Sequence, residues 1–137
     1  MSIHDIRKRI EDMRSKFDEW QNRAINAILD RWDSGGDDMF IFPVVDGPPG
    51  TGKTSVGVTA YAEYMLEHRD EQIIYLCYTH FAAEVARQAF FKYGFTSNQV
   101  VRLTPNVGEI DWERGIVGCS SNLSELPHET IRRLNNC

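Results

Sequence analysis

The sequence predicts an α/β protein, with a parallel sheet covered by helices on both faces in three layers. Two observations carry that expectation. Short apolar runs alternate with segments of helical spacing, the pattern of strands joined by helical crossovers. A glycine-rich stretch, GPPGTGKT at residues 47–54, sits between an apolar run and a helix-compatible segment. Composition agrees with a globular chain. Of 137 residues 42% are hydrophobic and 26% charged, which excludes collagen-like, largely disordered and disulfide-built classes.

Taken in order, the first third reads as helix. Ile3, Ile6, Ile10, Met13 and Phe17 recur at steps of three and four and form one stripe. Trp20, Ala24, Ile28 and Trp32 continue a stripe beyond it. Asp18 followed by Gln21 has capping-box spacing, so a second helix can start there. Gly35-Gly36 and Asp37-Asp38 break the pattern. Met39–Asp46 reads as a buried strand, although Pro43 cannot donate to a ladder. Residues 53–68 read as helix and Ile73–Tyr78 as a second strand.

Phe81–Tyr93 reads as helix, with Ala82, Val85, Ala86, Ala89, Phe90 and Tyr93 inward and Gly94 as its stop. Val100-Val101 and Gly115–Cys119 are short strand candidates, Pro127–Asn136 a short helix. Glu109, Asp111 and Glu113 read as a solvated loop around Trp112. Tyr61, Tyr64, Phe90, Phe91 and Tyr93 have helical spacing and suit a core better than a stacking platform.

Charge and cysteine content narrow the function classes. Fifteen Lys+Arg against twenty Asp+Glu give net −5, which excludes a broadly basic nucleic-acid coat and leaves room for a local groove. No apolar run approaches a membrane span. Cys77, Cys119 and Cys137 form no C-x-x-C pair, which fits a reduced cytoplasmic (or, in a eukaryote, nuclear) setting without a zinc site.

The chemistry is concentrated in residues 47–54, which fit G-x-x-x-x-G-K-[ST] in full. Gly47, Gly50 and Gly52 let the backbone curl around a phosphate chain, with Pro48, Pro49 and Thr51 between them. The curl turns amides inward, and the N-terminus of the following helix adds partial positive charge, extending the cradle to Ser55. Lys53 reaches the β- and γ-phosphates as the catalytic charge, and the Thr54 hydroxyl ligates Mg²⁺. The expected cofactors are therefore ATP and Mg²⁺.

The spelling GPPGTGKT resembles superfamily 1 helicases, especially the group that includes the nonsense-mediated-decay helicases; it also occurs in AAA-type ATPases. FDEWQNRAI (Phe17–Ile25) resembles the family's Q motif, which implies that Gln21 reads adenine. Gln21 as a capping residue is the competing reading. IIYLCYTHFAAEVARQAF (Ile73–Phe90) resembles motif Ia, which implies single-strand backbone contacts at Thr79 and His80, where the family more often has Asn at the latter. GIVGCSSNL (Gly115–Leu123) resembles the next strand, which implies a nucleic-acid contact at Ser120.

The resemblance implies the N-terminal part of a RecA-like P-loop domain, incomplete and preceded by helices. The expected organisation is a helical segment at 1–36 with the Q-motif-like region and a partial P-loop domain at 37–137. No apolar run after residue 54 ends in Asp-Glu, so a Walker B carboxylate pair is missing, as is the second RecA-like domain. The expected function is Mg·ATP binding with weak or absent hydrolysis. Expected partners are ATP, single-stranded DNA or RNA, and a partner chain supplying the rest of the helicase, but no membrane. The alternatives are a small P-loop kinase, for which Arg102 and Arg114 are the candidate lid arginines, and a non-catalytic split-helicase interaction protein. A sheet without its central strands implies marginal stability or unusual strand pairing.

Overall fold

The computed structural model describes residues 2–33, 44–71, 73–104, 110–111 and 116–118. The chain divides into two compact units, 1–71 and 72–137. Most of the described structure is helical.

In the first unit, α1 (Ile3–Lys16) starts at a capping box. The Ser2 hydroxyl accepts from the Asp5 amide at 3.2 Å, and the Asp5 carboxylate accepts from the Ser2 amide at 2.9 Å. The Ser2 hydroxyl also donates to Asp5 Oδ2 at 2.7 Å, and this bond first, the Ser2 amide second, holds the Asp5 carboxyl below its usual range. Phe17 is extended and ends the helix. A second capping box starts α2 (Glu19–Asp33). The Gln21 amide donates to Asp18 Oδ1 at 2.8 Å, and the Asp18 amide donates to Gln21 Oε1 at 2.9 Å. Two helices therefore follow in succession where the apolar stripe nearly runs through. The third helix, α3 (Lys53–Glu67), begins at the glycine-rich loop and ends at His68.

These three helices bury Ile6 and Ile10 from α1, Ile25 from α2, and Val56, Val58, Thr59, Ala60 and Ala62 from α3. Ile25, Val56 and Ala60 form the tightest cluster, with Phe17, Ala24, Ile28, Leu29 and Trp32 packed against it. Trp32 meets Tyr61 and Tyr64 edge-on at centroid distances of 4.8 and 5.0 Å, and both tyrosines are half-buried at the margin of the core. Arg14 ties the helices together. Its guanidinium donates to Asn22 Oδ1 at 3.1 Å, to Asn26 Oδ1, and to Glu63 Oε2 at 2.8 Å. The ends of α2 and α3 meet at His68, which stacks on Tyr64 with centroids 4.0 Å apart. His68 Nε2 lies 3.1 Å from an Asp33 carboxylate oxygen.

In the second unit, α4 (His80–Tyr93) is capped by the Thr79 hydroxyl, which accepts from the Ala82 amide at 3.1 Å. It stops at Gly94, whose φ of 106° suits a residue without Cβ. Three short strands follow: β1 (Arg102–Thr104), β2 (Ile110–Asp111) and β3 (Ile116–Gly118). They form one mixed sheet in the order β1-β3-β2. Leu103 pairs with Val117 in the parallel ladder, and Ile110 with Val117 in the antiparallel one. The Asp111 region is thus a strand, where the sequence suggested a loop.

The expected three-layer α/β fold with a parallel sheet is overturned. The described chain is built on four helices of 14 or 15 residues, and its strands have two or three residues each. Residues 44–46, the described end of the expected first strand, are not strand, and Val44 is 87% exposed. Residues 73–78 form no strand and lie outside the described sheet. An apolar run becomes a buried parallel strand only with ladder neighbours beside it and helices on both faces. Neither run has that setting among the described residues. Residues 39–43, Cys119 and the 127–136 helix candidate lie outside them.

Two smaller expectations also change. Val85 is exposed, and Arg87 takes a buried place on α4 beside Ala86, Phe90 and Tyr93. On α2 the fully buried residue is Ile25, while Trp20 is 71% exposed.

Candidate functional site

The loop from Gly47 to Gly52 is organised by bonds of its own. Asp46 Oδ1 accepts from the Gly47 amide at 2.8 Å and fixes the entrance. The Thr51 hydroxyl donates to the Pro48 carbonyl at 2.7 Å, closing a tight turn over Pro49 and Gly50. A Cβ on Gly47 would lie 2.7 Å from that same hydroxyl oxygen. Glycine is therefore required there by close approach.

Gly50 and Gly52 have φ of 82° and 84°, a region in which a Cβ is unfavourable. A Cβ on Gly50 would meet no atom within 4 Å, so its requirement is conformational alone. Gly52 is the N-cap of α3 and offers no side chain to its first turn. The first-turn amides of a helix have no intrahelical acceptors, and with the helix dipole they favour an anion.

Lys53, the first residue of α3, folds its ammonium back onto the Gly47 carbonyl and brings the charge to the loop. Thr54 and Ser55 follow on the first turn and are exposed. The Ser55 carbonyl accepts from the buried Thr59 hydroxyl at 2.6 Å, anchoring that turn from below.

Gln21 joins the same neighbourhood from α2. Its Nε2 donates to the Thr51 carbonyl at 3.1 Å, while its Oε1 completes the capping box with Asp18. Gln21 is therefore a capping residue that also touches the loop. The fold therefore brings Gln21, Gly47, Pro48, Pro49, Gly50, Thr51, Gly52, Lys53, Thr54 and Ser55 into one segment and its neighbour. Asp46 was not singled out from sequence. An acid immediately before the first glycine was the available signal.

These residues fit a nucleoside triphosphate in three respects: left-handed glycines, a helix N-terminus and a lysine held over the loop. For Mg²⁺ the fitting group is Thr54, one hydroxyl oxygen that would share the ion with phosphate and water. Among the described residues, no group of three or more His, Cys, Asp or Glu is placed to hold a metal by itself.

Thr79 and His80 belong to the second unit. The Thr79 hydroxyl is occupied in capping α4, and His80 is exposed on its first turn. Ser120 and Arg114 lie outside the described residues. Arg102, a candidate lid arginine, donates to Glu84 at 3.0 Å. Arg87 donates to the same carboxylate at 3.0 Å and Gln88 at 3.0 Å. The Arg87 bonds hold Glu84 at a pKa of about 2, with help from Gln88 and the Arg102 charge. This cluster joins α4 to β1. Among the described residues, no helix is long and apolar enough to cross a membrane. No protein-family model, curated protein or solved structure was found to match the chain.

Proposed function

We propose that the chain binds Mg·ATP through Gly47–Ser55, as a nucleotide-binding module related to superfamily 1 helicases, with weak or absent hydrolysis. One observation carries the reading. Gly50 and Gly52 are both left-handed in a loop that opens directly onto the first turn of α3, with the Lys53 ammonium drawn back to Gly47. This concerns the loop and its helix and needs no three-layer sheet.

Each part has a task. First-turn amides receive phosphate oxygens. Lys53 exchanges a carbonyl for the β- and γ-phosphates, and Thr54 shares Mg²⁺ with them. Gln21, held beside Thr51, would read the base by exchanging that contact for adenine. Hydrolysis would need a carboxylate to orient water, and the sequence after residue 54 offers no apolar run ending in Asp-Glu. In this reading Thr79, His80 and Ser120 contribute to single-stranded nucleic acid binding, a partner chain joins the module, and the setting is cytoplasmic or nuclear.

The test is titration calorimetry of the full chain with Mg·ATP, wild type against Lys53→Ala. Saturable heat in the wild type and its loss in the variant are expected. Equal affinity in both, or no heat in either, overturns the assignment. An ATPase assay with and without single-stranded DNA is expected to stay near background.

A further inference from the structure

Residues 73–78 separate two faces by simple alternation. On one, Ile73, Tyr75 and Cys77 are half-buried, and Tyr75 meets the Phe90 ring edge-on at 6.1 Å. On the other, Ile74, Leu76 and Tyr78 are 70%, 86% and 103% exposed. The exposure continues into α4, where Phe81 is 79% exposed and Val85, one turn later, 41%.

The chemistry of this stretch differs from the rest of the surface. From Gln72 to Ala83 there is no Lys, Arg, Asp or Glu, in a chain that is 26% charged. Two aromatic and three aliphatic side chains present on the order of 500–800 Å² of apolar surface. A standard protein interface takes about 800 Å² from each partner. The chain carries net −5, so two copies repel except where they meet through an uncharged face. A face without formal charge can also meet itself in a two-fold contact without setting like charges together.

We propose that Ile74, Leu76, Tyr78, Phe81 and Val85 form the two-fold interface between two copies of this chain, with Leu76 and Tyr78 at its centre. Burial of these side chains drives the association. Salt therefore does not weaken it, unlike a contact built on ion pairs, and strengthens it by screening the net charge. The proposal is independent of the ATP reading of Gly47–Ser55 and is tested without nucleotide; Thr79 and His80, between Tyr78 and Phe81, fall at this seam, so dimerisation competes with their nucleic-acid role.

The experiment is analytical ultracentrifugation of the full chain over a wide concentration range, at low and high salt. A reversible monomer–dimer equilibrium is expected in the wild type. Leu76→Lys and Tyr78→Lys are each expected to weaken dimerisation at least tenfold with an unchanged far-ultraviolet circular dichroism spectrum. Trp20→Lys, at an exposed position of the first unit, is expected to leave it unchanged. A wild type monomeric throughout overturns the proposal, as does open-ended association beyond the dimer. Loss of helical signal in both lysine variants would show that the chain covers this face itself, and that outcome overturns it too.

Discussion

Gln21 Nε2 donates to the Thr51 carbonyl at 3.1 Å, and a Cβ placed on Gly52 would lie 2.8 Å from that nitrogen. One amide group thus couples the first turn of α2 to the loop before α3. Its two ends do different work. The oxygen caps α2 through the Asp18 amide, and the nitrogen holds the loop.

Two replacements separate those tasks. Gln21→Glu keeps a capping oxygen and removes the donor to Thr51. Gln21→Ala removes both. The alanine variant is expected to lose about 1 kcal/mol in urea denaturation, the size of a lost cap. The glutamate variant is expected to keep most of that stability while the Thr51 and Gly52 amides exchange faster with deuterium. Equal stability losses in both variants would contradict the division of labour.

The loop glycines are expected to differ in cost. Gly50→Ala places a Cβ in open space at positive φ, which costs about 1–2 kcal/mol. Gly52→Ala adds displacement of the Gln21 amide to the same backbone strain. Denaturant midpoints are expected to fall further for Gly52→Ala, and the difference is expected to vanish in a Gln21→Ala background.

Ile25 is fully buried against Val56 and Ala60. Ile25→Ala is expected to destabilise the chain by about 2–5 kcal/mol in chemical denaturation. Trp20→Ala, at an exposed position on the same helix, is expected to cost much less.

Glu84 gives a pH dependence of defined sign. Its folded pKa of about 2 lies below the ordinary 4.5. Its contribution is therefore complete above 4.5 and is lost as pH falls from 4.5 through about 2. Glu84→Gln is expected to flatten the dependence of stability on pH in that window, followed by circular dichroism of acid unfolding. An unchanged slope would mean that the Arg87 and Arg102 contacts do not persist in solution.

Local signals in the sequence were readable where local chemistry decides the outcome. The Asp18–Gln21 spacing marks the start of α2, Lys53 the start of α3, and Gly94 the end of α4, because caps and left-handed stops depend on a few adjacent residues. Of the sheet only β3 was readable, inside the Gly115–Cys119 run; its pairing was not, because strand formation depends on neighbours remote in sequence. Residues 44–46 and 73–78 look like strands by composition, while Ile110–Asp111 is too short to show a period. Periodicity also gives a helix face without its width. The stripe through Ala24 and Ile28 points in the right direction, yet Ile25 is the residue that closes it. At the loop, the glycine pattern marked a curled backbone; Gly50 and Gly52 take positive φ there and Gly47 does not. The Asp46 bond and the retraction of Lys53 onto Gly47 are tertiary details with no sequence pattern of their own.

Arg14 stands on α1, yet its guanidinium reaches Asn22 and Asn26 on α2 and Glu63 on α3. A planar fork can satisfy three acceptors in different directions, which a lysine ammonium on a flexible stem cannot reproduce. The first unit therefore has a keystone on its periphery: one fork on α1 holds acceptors of the two other helices at once.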